Sequence, residues 1–288
     1  MPTQRSGFGA KTAKSIGSTS AGRQTVADRG KGADSVVRAV SGAELAIWLD
    51  ADHITGVAEG AELTTWLKKD GDGANPIADE GKRPTYRGAG YNNRPAVLFD
   101  ATNDSFKWDD GASGDGIIAT DMAANTIIAV NISAVASTDK MIFEIGTGYN
   151  QGSRSLAMYY QGFANRFVTG MGSADDFDEQ TVDDCVPNIL NVCISRFDRD
   201  LVAHAALKTY INGQPANTEG QDLGPDNDDD TDWSGQPCYL GSRNNGSLPF
   251  NGHIREFIVL KRALTIGEAC RIGKALMNKS GITRMYAA

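Results

Sequence analysis

The sequence predicts an all-β fold, a sandwich of two antiparallel sheets, from three observations. Short runs of β-prone residues recur at regular intervals between about residue 44 and residue 260. Glycine supplies 33 of the 288 residues, above the usual ~7%, which favours many tight turns. Hydrophobic residues make up 40% of the chain, enough for a large core. This composition excludes a wholly disordered chain, a collagen-like fibre and a disulfide-stapled miniprotein.

Ten or eleven segments bounded by turn residues are predicted as strands, a number that fits a two-sheet sandwich. They are residues 44–49, 62–67, 95–100, 126–133, 141–145, 155–160, 166–169, 189–197, 207–211, 238–241 and 254–260. Asn212-Gly213, which directly follows one of these strands, is a strong signal for a tight hairpin turn.

One helix is predicted near the C-terminus. Thr265 and Glu268 have the spacing of a capping box, and apolar residues then recur with helical periodicity up to Met277. Gly281 follows Lys279 as a stop signal. We expect this amphipathic helix to pack on the sandwich.

The N-terminal residues 1–40 are predicted to form an extended basic arm ahead of a single domain, residues 41–288. This arm holds seven Lys/Arg and two Asp/Glu, a net charge of +5, whereas the remainder of the chain carries −13. Its basic residues are spaced rather than clustered, which makes nucleic acid an unlikely partner and favours docking on a large assembly. They are Arg5, Lys11, Lys14, Arg23, Arg29, Lys31 and Arg38.

Targeting and redox signals are few. No run approaches the ~18 apolar residues of a membrane helix, and residues 1–22 lack the apolar stretch of a signal peptide. The four cysteines, Cys185, Cys193, Cys238 and Cys270, match no C-x-x-C or zinc pattern. We therefore expect small buried thiols in a reducing compartment, and no membrane partner.

Several segments, taken in order, carry a family resemblance. Residues 45–52 and 65–67 hold Trp48 and Trp66, residues 94–100 read RPAVLFD, and residues 103–106 read NDSF. Residues 208–214 read KTYINGQ, and residues 239–243 and 250–259 read YLGSR and FNGHIREFIV. Together they resemble the concanavalin A-like lectin/glucanase superfamily in its laminin G-like form. The resemblance implies a jelly-roll sandwich with Trp48 and Trp66 in the core, but no single activity, because the fold hosts lectins, glycosidases and adhesion modules.

A search of the sequence for catalytic motifs predicts that the protein is not an enzyme. The paired carboxylates of the glucanase branch, in a strand motif like E-x-D-x-x-E, are not found, and the acidic residues 175–179 are predicted to be a solvated loop. The sequence has no G-x-S-x-G elbow, phosphate-binding loop or dinucleotide loop.

No cofactor is required by this interpretation, and Ca²⁺ is the candidate ion. Asp226, Asp228, Asp230 and Asp232 offer carboxylates at every second position, as hard cations need. The segment departs from an EF-hand loop, because Thr231 stands in place of the required glycine and Pro237 in place of the bidentate glutamate. The alternative is an acidic loop that binds no ion.

Four aromatic residues are the candidate carbohydrate contacts, because the apolar face of a sugar stacks on an aromatic ring. They are Trp108, Tyr149, Tyr160 and Trp233, which are predicted to lie in or near loops. The alternative is that each is an ordinary half-buried aromatic of the sandwich.

The main functional prediction is a non-enzymatic structural or adhesion protein of a large assembly. The assembly expected is a phage virion, with the protein as a head decoration, tail or fibre component assembled in the host cytoplasm. Its partners would be other virion proteins and copies of itself, bound through residues 1–40. The alternative is a carbohydrate-binding lectin module that recognises cell-surface glycans, and a glycan-cleaving enzyme is a third, weaker hypothesis.

Overall fold

A computed structural model describes residues 26–108, 117, 124–134, 137–146, 155–162, 166–172, 177–182, 187–198, 201, 207–215, 237–244 and 246–282. Fourteen strands are formed within these ranges. They are β1 (Leu45–Asp50), β2 (Thr85–Tyr91), β3 (Arg94–Asp100), β4 (Phe106–Trp108), β5 (Ala124–Ser133), β6 (Lys140–Ile145), β7 (Ser155–Gln161), β8 (Arg166–Gly172), β9 (Phe177–Val182), β10 (Asn191–Asp198), β11 (Leu207–Ile211), β12 (Gln214–Pro215), β13 (Cys238–Leu240) and β14 (Asn251–Leu260). The helices in the same ranges are α1 (Val26–Ser41) and α2 (Ile266–Ser280), with short 3₁₀ turns at Gly42–Glu44 and Ala51–His53.

The strands form two antiparallel sheets, which confirms the predicted two-sheet sandwich. The eight-stranded sheet has the order β12-β11-β10-β5-β14-β3-β2, and β1 also pairs with β14. The six-stranded sheet has the order β4-β13-β6-β7-β8-β9. The long strand β14 is central, because it pairs with β5 on one side and with both β3 and β1 on the other.

The main core fills the space between the two sheets. It contains Trp66 and Trp108, both fully buried, and an aromatic contact in which the rings of Phe143 and Phe257 lie 4.9 Å apart. Because one face of each strand points into this layer, its residues alternate along the strands with those that face outward.

A second apolar layer covers the outer face of the eight-stranded sheet beneath α1 and α2. It contains Val37 of α1, Ile272 and Leu276 of α2, and Trp48 of β1. Trp48 is buried, as the resemblance implied, but it lies under the helices rather than between the sheets. The reason is the alternation along β1, where Ile47 and Leu49 face the inter-sheet core and Trp48 faces the opposite way.

Local signals in the sequence act as predicted at the hairpin and at α2. Asn212 and Gly213 both have positive φ, 49° and 75°, as a two-residue I′ turn requires. Thr265 and Glu268 form the reciprocal capping box of α2, and Gly281 ends the helix in the left-handed conformation. Gly252 has φ +152°, and a Cβ there would lie 1.9 Å from the carbonyl oxygen of Ile132. Only glycine allows this approach of β14 to β5.

The prediction of an extended arm over residues 1–40 is wrong for its last fifteen residues. Residues 26–41 form α1, and Ala33, Val37 and Val40 are buried. Spaced at i, i+4 and i+7, these three residues form one apolar stripe, and Val37 and Val40 pack in the layer under the helices. Residues 1–25, including Arg5, Lys11, Lys14 and Arg23, lie outside the described residues.

Two further sequence expectations concern membrane spans and thiols. In the described part of the chain, no helix has the length and apolarity needed to cross a membrane. Cys193 and Cys238 are buried free thiols, whereas Cys270 is partly exposed on α2, and Cys185 lies outside the described residues. Burial raises the pKa of the Cys193 thiol to about 12, so this thiol is unreactive.

Candidate functional site

A cavity of about 250 Å³ opens between α1, the end of β1 and the C-terminal turn of α2. We call it the ionic cleft. It is lined by Gly30, Lys31, Asp34, Asp50, Asp52, His53, Lys69 and Lys279. Its volume is slightly below the roughly 300–1,000 Å³ of pockets for drug-sized ligands, which suits a ligand of one or two small rings.

Asp50 organises the floor of the cleft. It is the last residue of β1, and its Oδ1 caps the 3₁₀ turn Ala51–His53 by accepting a hydrogen bond of 2.9 Å from the backbone N–H of Asp52. Its other oxygen, Oδ2, accepts from Lys69 Nζ at 2.8 Å and from Lys279 Nζ at 2.7 Å. One carboxylate therefore joins the end of a strand, a loop and a helix.

Lys69 is held in place by backbone pairing with β1. Its N–H donates to the carbonyl of Trp48 at 2.7 Å, and the N–H of Trp48 donates to the carbonyl of Asp70 at 2.9 Å. Lys69 Nζ then lies 4.2 Å from the centroid of the Trp48 ring and 2.5 Å from Asp34 of α1. The cation thus bonds to two carboxylates while it contacts an aromatic face.

Lys279 is a buried lysine at the end of α2, with a side chain only 2% exposed. Its Nζ contacts Asp50 at 2.7 Å, Glu256 of β14 at 3.0 Å and Asp34 at 3.4 Å. A lysine this deeply buried is rare unless paired, and here three carboxylates share its charge. Trp48 Nε1 donates to the second oxygen of Glu256 at 3.1 Å, which closes the network below the cleft.

The ionisation of these groups follows from burial and from their neighbours. Burial alone would raise the pKa of Asp50, but Lys279 and Lys69 outweigh it and hold that pKa below its ordinary value. Burial and the nearby Asp50 raise the pKa of Glu256 to about 7, against the opposing effect of Lys279. Burial would lower the pKa of Lys279, yet Glu256 and Asp50 raise it above the ordinary value. Lys279 and Asp50 are therefore both charged at neutral pH.

A second group of charges lies on the side of the cleft. Asp52 Oδ2 lies 2.6 Å from Arg94 and 3.5 Å from Arg255, which is almost fully buried. Arg94 also donates to the main-chain carbonyl of Lys279, so the β2–β3 hairpin is tied to the end of α2. This contact satisfies a carbonyl that the helix itself leaves without a partner.

The ionic cleft can therefore bind a polar ligand through hydrogen bonds. Its paired carboxylates keep free lone pairs that accept from hydroxyl groups, and the side chains of Lys31 and His53 are exposed at its rim. None of the described residues forms a group of three or more His, Cys, Asp or Glu side chains arranged to hold a metal ion.

Two residues of the predicted basic arm reach this region. Lys31 lines the cleft, and Arg38 pairs with Asp70 and stacks over Trp48 at 5.7 Å from the ring centroid. Arg29 lies in α1. The role of these residues in assembly stays a prediction.

Trp108 and Tyr160, predicted as carbohydrate contacts, lie in the core. Trp108 is 1% exposed and donates to the carbonyl of Ala74 at 2.9 Å, and Tyr160 is 6% exposed and donates to Asn131 at 2.9 Å. Their strands turn these rings toward the other sheet, so neither ring has a free face for a sugar. Tyr149, Trp233 and the calcium candidates Asp226, Asp228, Asp230 and Asp232 lie outside the described residues and stay predictions.

The sequence predicted no site at the ionic cleft and named only Lys31 among its lining residues as a candidate, as part of the arm, although two signals point to the buried charges. Lys279 falls on the apolar stripe of α2, seven residues after Ile272 and three after Leu276. Arg255-Glu256 interrupts a run that is otherwise apolar from Ile254 to Leu260. A charge at a buried position predicts a charged partner elsewhere in the chain.

Comparisons with known proteins find similarity of fold. No protein-family model matches the chain, and a search among curated proteins finds no significant match. Domain 4 of AbnA, an extracellular GH43 arabinanase from Geobacillus stearothermophilus solved with arabinotriose, is 15% identical with a TM-score of 0.54, over 80% of this chain and 98% of that domain. The CBM40 module of a Ruminococcus gnavus sialidase, solved with α2,6-sialyllactose, is 15% identical with a TM-score of 0.47, over 62% of this chain and 96% of the module. The chain thus has the jelly-roll sandwich fold that the sequence predicted.

Proposed function

We propose that this protein is a non-catalytic carbohydrate-binding module. The observation that supports this best is the match of its jelly roll to 98% of an arabinanase domain that was solved with arabinotriose. Among the functions predicted from the sequence, this is the lectin alternative. It takes precedence over the virion role, for which the described residues offer no separate support.

We place the ligand in the ionic cleft, because this cavity of the described residues combines exposed polar groups with a rigid floor. Asp50, Lys69 and Lys279 are locked by mutual ion pairs, so the cleft is preorganised and a ligand needs to order few side chains. The exposed Lys31 and His53 are free to approach a hydroxyl group from two sides of the rim.

A binding assay on the full chain tests the function. We expect saturable heats in isothermal titration calorimetry with at least one oligosaccharide of a panel that includes arabinotriose and lactose. No shortened product should appear by chromatography after prolonged incubation. Failure to bind any glycan of a broad array would refute the proposal, and release of a shortened product would refute its non-catalytic part.

Rim variants test the location. Replacing Lys31 and His53 together by alanine should weaken binding at least tenfold, because both are exposed groups that the fold does not need. Arg271→Ala, an equally exposed change on α2, is the matched control and should leave the affinity unchanged. Equal affinities for all three proteins would place the ligand elsewhere on the sandwich.

Attachment to a large assembly, such as a virion, is the second candidate function. It is supported by the four basic residues that precede α1, which are Arg5, Lys11, Lys14 and Arg23. Truncation should remove residues 1–25 and keep α1, because α1 carries buried core residues. We expect the full chain to form large particles in electron microscopy and the truncated chain to remain small. A full chain that is monomeric would contradict this role.

A further inference from the structure

The cations on the floor of the ionic cleft are already paired. Lys69 is bonded to Asp34 and Asp50 at 2.5 and 2.8 Å. Lys279 is surrounded by Asp50, Glu256 and Asp34 at 2.7–3.4 Å, so each of its three N–H groups has a carboxylate neighbour. All three N–H groups of Lys279 are therefore taken, whereas Lys69 has two of its three taken, with its Nζ 4.2 Å from the centroid of the Trp48 ring.

The cations on the side of the cleft are paired as well. Arg94 and Arg255 both face Asp52, at 2.6 and 3.5 Å. Counted over the described residues of this network, the four cations face four carboxylates, Asp34, Asp50, Asp52 and Glu256. The floor and side therefore carry little excess positive charge at neutral pH, where Glu256, with its pKa raised to about 7, is partly ionised. Lys31 is a cation at the rim, but it is exposed, where a single ion pair is weak.

The hydrogen-bonding capacity of the same groups is unbalanced, because acceptors exceed donors. Each carboxylate offers about four lone-pair directions, and the lysine N–H groups fill only some of those on Asp34 and Asp50. A sugar hydroxyl can donate to those of Asp34 and Asp52, whose side chains are 29% and 24% exposed, whereas Asp50 is only 2% exposed. A ligand carboxylate cannot donate, and it would meet Asp34, Asp50 and Asp52 as like charges.

We infer that the ionic cleft selects uncharged sugars and rejects sugars that carry a carboxylate, such as sialic and uronic acids. This inference rests on the proposed function and defines its ligand class. The paired network provides the selectivity, because it supplies acceptors for hydroxyl groups while it neutralises every buried cation that an acidic sugar would need.

A glycan array that contains neutral oligosaccharides and their carboxylated counterparts tests the inference with the full chain. We expect binding to neutral glycans, and at least a fivefold loss when a sialic or uronic acid is present at the recognised end. Calorimetry on the strongest neutral ligand should give the same affinity at low and at high NaCl, because no charge is neutralised on binding. Binding that favours acidic glycans and weakens with salt would overturn the inference but keep the proposed function. No binding to any glycan would overturn both.

A charge variant supplies an independent test. Asp52→Asn removes the carboxylate that neutralises Arg94 and Arg255, so it should raise the affinity for an acidic glycan relative to its neutral counterpart at least fivefold. Asp72→Asn, which removes an exposed carboxylate paired with Lys261, is the matched control and should leave that ratio unchanged. An unchanged ratio in a folded Asp52→Asn protein would contradict the inference. If that variant does not fold, the array comparison of neutral and carboxylated glycans on the unmodified chain still tests the inference.

Discussion

Asp50 is the residue on which the geometry of the ionic cleft depends most. Its carboxylate is 2% exposed and bonds to two lysines and to the backbone of the turn that follows β1. Because the partners come from a loop and from α2, loss of its charge would leave both lysines without their shared anion. The position therefore links stability to the shape of the site.

We predict that Asp50→Asn destabilises the protein by about 3 kcal/mol, the usual cost of breaking a buried ion pair from one side. The amide oxygen can still accept from the Asp52 N–H, but the amide NH₂ replaces the oxygen that accepts from Lys69 and Lys279, so the loss reports on the charge together with these two hydrogen bonds. The exposed pair of Asp72 and Lys261 provides the control, and Asp72→Asn should cost less than about 1 kcal/mol. Urea unfolding measures both, and equal costs would contradict the central role of Asp50.

Glu256 makes the stability of the protein depend on pH, and the direction of this dependence follows from its raised pKa. Burial raises its pKa to about 7, so between its ordinary value and pH 7 the folded protein binds a proton that the unfolded chain releases. The contribution of Glu256 to stability is therefore greatest at low pH and falls as the pH rises from about 5 to 7, by at most about 1.4 kcal/mol per pH unit.

Glu256→Gln should remove this dependence. The amide oxygen can still accept from Trp48, but the side chain no longer titrates. The free energy of unfolding of the variant minus that of the unmodified protein should rise from pH 5 to pH 8. Taking the difference cancels the titration of His253, whose pKa burial lowers in both proteins. A difference that is flat across this range would refute the assignment.

At the scale of the elements, α1 belongs to the folded domain rather than to an arm. Val37 is fully buried, and Asp34 bonds to Lys69 and to Lys279 of α2. Since Gly30 and Lys31 line the cleft, this helix forms one of its walls. A site on the domain thus includes residues that composition alone assigns to an extended segment.

Val37→Ala should destabilise the protein by about 2 kcal/mol, from the lost burial of two methyl groups and the cavity they leave. Ser35→Ala, an exposed change two residues earlier in α1, should alter stability by less than about 0.5 kcal/mol. Thermal melting of both variants and the parent measures these changes in stability. A Val37→Ala protein as stable as the parent would show that α1 is not part of the domain core.

The elements that could be predicted are those specified by adjacent residues. The hairpin at Asn212-Gly213 and the capping box of α2 are local patterns, and the structure confirms both. The predicted strand at residues 62–67 is wrong, since Glu62 and Thr65 form only isolated bridges there. Its apolar alternation arises because Trp66 anchors a loop in the inter-sheet core. The acidic residues Asp178 and Glu179, predicted to lie in a loop, belong to β9, whose pairing with β8 overrides their low β-propensity.

At the scale of the whole molecule, the fold could be predicted and the cleft could not. The strand periodicity required only local sequence, whereas the cleft brings together residues up to 245 positions apart, such as Asp34 and Lys279. Sequence can show that a charge falls on an apolar stripe, but it cannot show which partner meets it. Two of the four aromatic candidates, Trp108 and Tyr160, are buried for a related reason, since the face on which Trp108 points inward depends on the register of β4 against β13.

The central claim is that the jelly roll is a carbohydrate-binding module whose ligand lies in the ionic cleft. The most direct test is the affinity of the full chain for its strongest array glycan, measured by calorimetry for the parent, the Lys31→Ala/His53→Ala variant and Arg271→Ala. We predict saturable binding that the double variant weakens at least tenfold and that Arg271→Ala leaves unchanged. The absence of binding in the parent, or equal affinity in all three proteins, would contradict the claim.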